Sequence, residues 1–89
     1  MPPVLLKTGD SLEISAVAGL KLEWLKAVDA ASGIEVDASS LGRIDTAGLQ
    51  LLLSLKREAI ARNIGFSWSG VSAVLREKAT ALGIDQELI

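Results

Sequence analysis

Residues 34–53, IEVDASSLGRIDTAGLQLLL, decide the fold of this chain. The first six residues alternate between apolar Ile, Val, Ala and polar Glu, Asp, Ser, which predicts a strand over Ile34–Ser39 with one buried face. After a short loop, small residues and a leucine-rich run predict a long helix over about Ala47–Arg62. The segment therefore predicts a strand that passes into a helix, with Asp45 and Thr46 at the junction.

Further elements are predicted on both sides of this segment. Ile64–Ser69 repeats the alternation and predicts another strand, and helices are predicted over about Ala18–Ala31 and Ala73–Leu82. Ser15 is placed to cap the first of these helices, with Leu20, Trp24, Leu25 and Val28 inward; the last helix turns Val74, Leu75, Ala79 and Leu82 inward. Residues 84–89 are expected to form a tail with at most a final turn.

Two short apolar runs precede the first helix. Val4–Lys7 and Leu12–Ile14 are separated by Thr8-Gly9-Asp10-Ser11, and glycine beside aspartate between two such runs predicts a hairpin turn. The first strand should then pair with the second and run antiparallel to it.

The predicted element order is β-β-α-β-α-β-α. Strands separated by a helix should be parallel with right-handed crossovers. Because the strands alternate polar and apolar residues, helices should cover one face only. We therefore predict one α/β domain over residues 1–89, with a mixed four-stranded sheet and its helices packed on one face.

The long helix has a broad apolar arc. Lys56 falls inside this arc and must extend its methylenes outward, whereas Leu51 falls on the polar side and is expected to be exposed. The residues predicted to face the core are Gly48, Leu49, Leu52, Leu53, Leu55, Ala59 and Ile60.

The composition argues against an enzyme. The chain has no cysteine, histidine or tyrosine, which removes thiolates, the commonest general base and the commonest metal ligand. It has no glycine-rich phosphate-binding motif, and Glu35 and Asp37 lie on the polar face of a strand, where solvated charges are ordinary. We expect no catalytic residue, no cofactor and no metal.

Charge and hydropathy limit the partners. The net charge is −2 without a basic stripe, which argues against nucleic acid. No apolar stretch approaches the roughly 18 residues that cross a bilayer, and the first residues do not resemble a secretory signal. We expect a cytoplasmic protein that does not insert into a membrane, although it could be an adaptor on a membrane complex; its oligomeric state is left open.

Thr46 is the main candidate site. The start of a helix carries unpaired N–H groups and a partial positive charge, and therefore favours an anion, including a phosphate on the chain itself. Asp45 is at least as good a cap, so Thr46 is not needed for capping. Gly48 costs roughly 1 kcal/mol of helix propensity relative to alanine, which indicates close approach by another backbone or by a partner.

The other hydroxyls lie at the same predicted edge. Ser15, the loop 39–46 and the loop 69–72 all follow carboxyl ends of strands, where α/β sheets place their functional groups. Ser15 and Ser72 are predicted mainly as helix caps, and Ser39 and Ser72 are added to the candidate partner contacts.

Two stretches, Ile34–Ser39 and Ile44–Leu53, resemble the STAS domain family of anti-sigma factor antagonists and related small regulators. The resemblance continues through residues 64–84 and covers all but the first few residues. It implies that a partner, which is both kinase and anti-sigma factor, phosphorylates Thr46 and binds around the start of the second helix. The implied contacts are Asp45, Thr46, Ala47, Gly48, Leu49, Gln50 and Leu51.

The motif departs from the sigma-pathway pattern in one respect. Those members usually carry Asp-Ser-Ser-Gly, whereas Asp45 to Gly48 are Asp-Thr-Ala-Gly. This version is similar to a shorter branch that includes the STAS subunit of a phospholipid-trafficking ABC transporter and STAS proteins of chemotaxis systems. In the transporter branch, the equivalent of Thr46 would contribute to docking on the ATPase.

Overall fold

The structure is a computed structural model that describes residues 3–29 and 32–89. At positions 14, 16 and 17 it describes the backbone only. The part of the chain so described contains nine elements. In chain order these are β1 Val4–Lys7, β2 Ser11–Leu12, α1 Ile14–Asp29, β3 Gly33–Ala38, β4 Arg43–Ile44, α2 Thr46–Ala61, β5 Gly65–Val71, α3 Ala73–Ala81 and α4 Asp85–Leu88.

The main sheet has three strands in the order β1-β3-β5, and both pairings are parallel. Leu6 of β1 pairs with Val36 of β3, which pairs in turn with Trp68 of β5. The α/β class is confirmed, and so is the parallel pairing of the strands on either side of the long helix, β3 and β5. The expectation of a single four-stranded sheet is met only approximately, because the other two strands, β2 and β4, form a separate pair.

The predicted N-terminal hairpin is wrong. β1 runs parallel to β3, and β2 pairs instead with β4, a two-residue strand within the predicted loop 39–46. The turn at Gly9, with φ +71°, carries the chain from one pair to the other. The Asp10 carbonyl then accepts from the amides of Gly42 and Arg43 at 2.9 and 3.1 Å, which holds β2 beside β4.

One face of the sheet is buried and the other is not. Ile34, Val36 and Ala38 of the central strand are at most 2% exposed and lie in the hydrophobic core. On the opposite face, Leu5 is 47% exposed, and Ser67, across the sheet from it, is exposed. The alternation along the strands therefore has the predicted cause, namely helices packed against one side of the sheet.

Helix α2 packs against α1 as well as against the sheet. Six of the seven residues predicted to face inward are buried: Gly48, Leu49, Leu52, Leu53, Leu55 and Ala59. Leu51, predicted exposed, is 5% exposed because the contact with α1 widens the buried arc. Ile60, predicted buried, is 67% exposed and lies one turn beyond Lys56, next to the last residue of α2.

The outer helices follow the predictions with shifted ends. Helix α1 begins at Ile14, so Ser15 lies inside its first turn rather than before it, and the predicted end at Ala31 lies outside the described residues. Leu82, predicted inward, is 49% exposed at the carboxyl end of α3. The tail forms α4, and its Leu88 is completely buried.

Lys56, predicted to extend outward, is half-buried and reaches the end of the chain. Its ammonium donates to the Leu88 carbonyl at 3.1 Å, and the indole N–H of Trp68 donates to the same oxygen, also at 3.1 Å. These two hydrogen bonds tie the end of the chain to α2 and β5. Among the described helices, none combines the length and the apolar character that crossing a membrane would require.

Candidate functional site

The start of α2 is organised by Asp45. This residue is extended, with φ −107° and ψ −178°, and its carboxylate accepts from the backbone N–H of Gly48 at 2.9 Å. Its own N–H donates to the Leu12 carbonyl at 3.4 Å, which ties the junction to β2. The prediction that Asp45 serves as the cap is confirmed, and Thr46 becomes the first residue of the helix.

The side chain of Thr46 is exposed. Within residues 3–29 and 32–89, no hydrogen bond engages its hydroxyl, because the neighbouring aspartate does the capping. A hydroxyl at the first turn of a 16-residue helix lies beside amide groups that favour negative charge. The geometry would therefore accommodate a phosphate on Thr46 without loss of the helix cap.

Gly48 contacts the protein's own backbone. A Cβ atom at this position would overlap the Leu12 carbonyl oxygen and lie 2.8 Å from Cγ1 of Ile44. Of the two interpretations of this glycine, close approach by another backbone is the one the structure shows. The glycine is needed so that β2 and β4 can cross the first turn of α2.

The candidate contact surface is narrower than the sequence predicted. Gly48, Leu49 and Leu51 are buried, with Leu49 at 1% and Leu51 at 5% exposure, because they face β2, the sheet and α1. Leu49 and Leu51 therefore have almost no side-chain surface for a partner to contact, and Gly48 has no side chain. The predicted positions that retain accessible surface at the start of α2 are Asp45, Thr46, Ala47 and Gln50.

Ser39 belongs to a different cluster at the end of β3. Its N–H and its hydroxyl both donate to one carboxylate oxygen of Asp37, at 3.0 and 2.6 Å. These two hydrogen bonds hold the pKa of the Asp37 carboxyl below its ordinary value, with a smaller contribution from the charge of Lys7. Gly70 lies against this turn, since a Cβ there would lie 2.8 Å from that of Ser39.

Ser72 is a helix cap, as predicted. Its hydroxyl accepts from the N–H of Leu75 at 3.2 Å, and its own N–H donates to the Ala38 carbonyl at 3.1 Å. The hydroxyl of Ser72 is therefore used as the cap of α3. Ser15, inside the first turn of α1, is exposed.

Beside Thr46 lies a shallow depression of about 400 Å³. It lies between the start of α2 and the carboxyl end of α3, and Ser39 and Ser72 are not among the described residues that line it. Its lining is Ile44, Asp45, Thr46, Leu49, Lys78, Ala81 and Leu82. The contribution of α3 could not be predicted from the sequence, since no local pattern shows that this helix packs beside β4.

The described residues contain no group of three or more Asp, Glu, His or Cys side chains arranged to hold a metal ion. The site is thus a surface feature built from one exposed hydroxyl, a helix start and an adjoining depression.

The described chain thus has a parallel sheet covered on one face and an exposed threonine at the start of its second long helix. The family model described as "Mlab, STAS domain" matches residues 3–89. The chain belongs to this STAS domain family.

A solved structure has the same fold. It is that of the anti-sigma factor antagonist SpoIIAA in its unphosphorylated form, which superposes with a TM-score of 0.79 at 21% sequence identity. The match covers 96% of this chain and 76% of SpoIIAA. No curated protein sequence is significantly similar to the chain.

Proposed function

We propose that this STAS domain is a non-enzymatic regulator of the anti-sigma factor antagonist type, active in the cytoplasm through reversible contact with a protein partner. The observation that carries the proposal is the displayed hydroxyl of Thr46, which the cap at Asp45 leaves unused among the described residues. The unphosphorylated form would bind the partner, a serine/threonine kinase anti-sigma factor, and release the sigma factor.

Phosphorylation would switch this contact without refolding. The terminal phosphoryl group of ATP would pass to the Thr46 oxygen, with loss of the hydroxyl proton and release of ADP. The phosphate adds about −1.5 to −2 charges at the surface. The helix start stabilises this charge and Asp45 opposes it, so the fold persists while the contact surface becomes strongly anionic.

The test is phosphorylation of the purified chain by a serine/threonine kinase anti-sigma factor from the same organism. With ATP present, intact mass should increase by one phosphoryl group, and fragmentation should place it on Thr46. Thr46→Ala should abolish the modification, whereas Thr80→Ala, at an exposed threonine of α3, should leave it unchanged. A phosphate on another residue, with Thr46 unmodified, would show that the switch is misplaced.

A second candidate function is favoured by the motif. Because Asp45 to Gly48 are Asp-Thr-Ala-Gly, they resemble the branch that includes the subunit of a phospholipid ABC transporter. The exposed start of α2 would then dock on the transporter ATPase without modification. A complex that forms without ATP-dependent phosphorylation, and that Thr46→Glu weakens, would select this function over the first. A third partner, a chemotaxis-type signalling protein, would use the same surface.

A further inference from the structure

The depression beside Thr46 extends the candidate surface onto a second helix. Leu82, which follows α3, is 49% exposed although it lines this depression. The end of α3 is completed by backbone groups, since the N–H of Leu82 donates to the Lys78 carbonyl and the N–H of Gly83 donates to the Thr80 carbonyl, so the side chain of Leu82 has no part in that cap. An exposed leucine at a concave site is well placed to contact an apolar group from outside.

The floor of the depression is apolar. Ile44 and Leu49 are 7% and 1% exposed, and Ala81 lies beside Leu82 at the rim. A volume of about 400 Å³ is large enough for one or two side chains of a partner, and the depression is open to solvent rather than enclosed. This part of the site therefore suits an apolar side chain that is supplied by a protein.

Among the described residues that line the depression, the charged ones are the carboxylate Asp45 and the cation Lys78. Its side chain is exposed, and in the described ranges its ammonium has no ion pair or hydrogen bond. The carboxylate on the other side, Asp45, already accepts from the Gly48 N–H at the helix start. A carboxylate from outside would therefore find its cationic partner at Lys78.

We propose that this depression binds a segment of a protein partner in which an acidic residue adjoins a leucine-sized apolar side chain. The apolar side chain packs on Leu82 and Ala81, and the carboxylate pairs with Lys78. This inference rests on the proposed function, and it adds to that function the chemistry of the partner segment. It also gives the switch a mechanism, because a phosphate on Thr46 repels the partner's carboxylate and competes with it for Lys78.

The test uses a phage-displayed library of random peptides selected on the immobilised chain. The selected sequences should pair Asp or Glu with Leu, Ile, Met or Phe. The most enriched sequence is then synthesised, and its Kd is measured for the wild type and for four variants. Lys78→Glu and Leu82→Ala should each weaken binding about tenfold or more, which corresponds to 1.4 kcal/mol or more.

Two matched variants serve as controls. Lys21→Glu makes the same charge change at an exposed lysine of α1, and Leu22→Ala truncates a leucine that is 67% exposed on the same helix. Both should bind the peptide as the wild type does. The proposal would be overturned if the selected sequences were basic or purely apolar, or if no sequence were selected at all. It would also be overturned if the control variants lost binding.

The failure of this inference can be separated from that of the proposed function. If Thr46 is never phosphorylated but the peptide binds as described, the depression is assigned correctly and the switch is not. If Thr46 is phosphorylated but Lys78→Glu and Leu82→Ala bind the peptide normally, the switch is correct and the depression is not its contact site. If both are correct, the phosphorylated chain should bind the peptide more weakly than the unmodified chain.

Discussion

Gly48, in the first turn of α2, lies directly beneath the carbonyl oxygen of Leu12, and a Cβ atom at Gly48 would overlap that oxygen. The same carbonyl accepts from the N–H of Asp45, so β2 is bonded to the helix start as well as packed on it. Backbone cannot yield as a flexible side chain can. The close approach is thus a fixed feature of the site that positions Thr46.

Gly48→Ala should destabilise the protein despite the better helix propensity of alanine. The propensity gain is about 1 kcal/mol, while forcing a methyl group against backbone costs about 3 kcal/mol, the upper end of the usual range, so a net loss of about 2 kcal/mol is expected. Thermal unfolding should show it as a fall in Tm of about 4–8 °C per kcal/mol. Gly19→Ala, at an exposed position of α1 where a Cβ would meet no atom within 4 Å, should raise Tm instead. Equal stabilisation by both substitutions would contradict the structure.

The helical pattern predicts that truncating Ile60 costs more stability than truncating Leu51. The structure predicts the reverse. Leu51→Ala removes a side chain that is 5% exposed and should cost about 2–5 kcal/mol. Ile60→Ala removes one that is 67% exposed and should change stability by about 0.5 kcal/mol or less. Urea unfolding of the two variants measures both values. A larger loss at Ile60 than at Leu51 would mean that α2 is rotated relative to the packing described above.

Alanine substitutions at Asp45 and Thr46 should have different effects on stability, because the first residue caps the helix and the second does not. Asp45→Ala loses the hydrogen bond to the Gly48 N–H and should cost about 0.5–2 kcal/mol. Thr46→Ala loses an exposed side chain and should stay within about 0.5 kcal/mol of the wild type. Chemical denaturation of both variants checks this difference. If Thr46→Ala were as destabilising as Asp45→Ala, the hydroxyl would serve the fold, and its availability as a switch would be lost.

The central strand and the long helix could be predicted from the sequence to within one residue at each end. β3 was expected over Ile34–Ser39 and α2 over Ala47–Arg62, against observed spans of Gly33–Ala38 and Thr46–Ala61. Both patterns are local, because the alternation of a half-buried strand and the leucine repeat of a helix are each complete within their own segment. The cap at Asp45 is local for the same reason.

Partners distant in sequence could not be predicted in this way. β1 pairs with β3 and β2 with β4, and two short apolar runs on either side of a glycine turn do not show whether they pair with each other. The burial of Leu51 depends on α1, and the depression beside Thr46 depends on where α3 ends. These features are set by packing between elements rather than by the pattern within one.

The hydrogen bonds from Ser39 to Asp37 predict how the stability of the fold changes in acid. Hydrogen bonds from the Ser39 hydroxyl and N–H lower the pKa of Asp37 in the folded chain relative to the unfolded chain, in which it is about 3.9. A lowered folded-state pKa means that this interaction stabilises the fold above pH of about 4, and that the contribution is lost as the pH falls through the folded-state pKa. The wild type should therefore lose stability on acidification over this interval.

The Ser39→Ala variant tests this link directly. It removes the hydroxyl and keeps the backbone N–H, so the pKa of Asp37 should move part of the way back toward its ordinary value. An NMR titration that follows the side-chain carboxyl carbon of Asp37 measures the change. Ser67→Ala, at an exposed serine on the same face of the sheet, should leave that pKa where it is in the wild type. If both variants titrate like the wild type, the hydroxyl does not hold the Asp37 carboxylate in solution; the turn that ends β3 would then rest on its backbone hydrogen bonds alone.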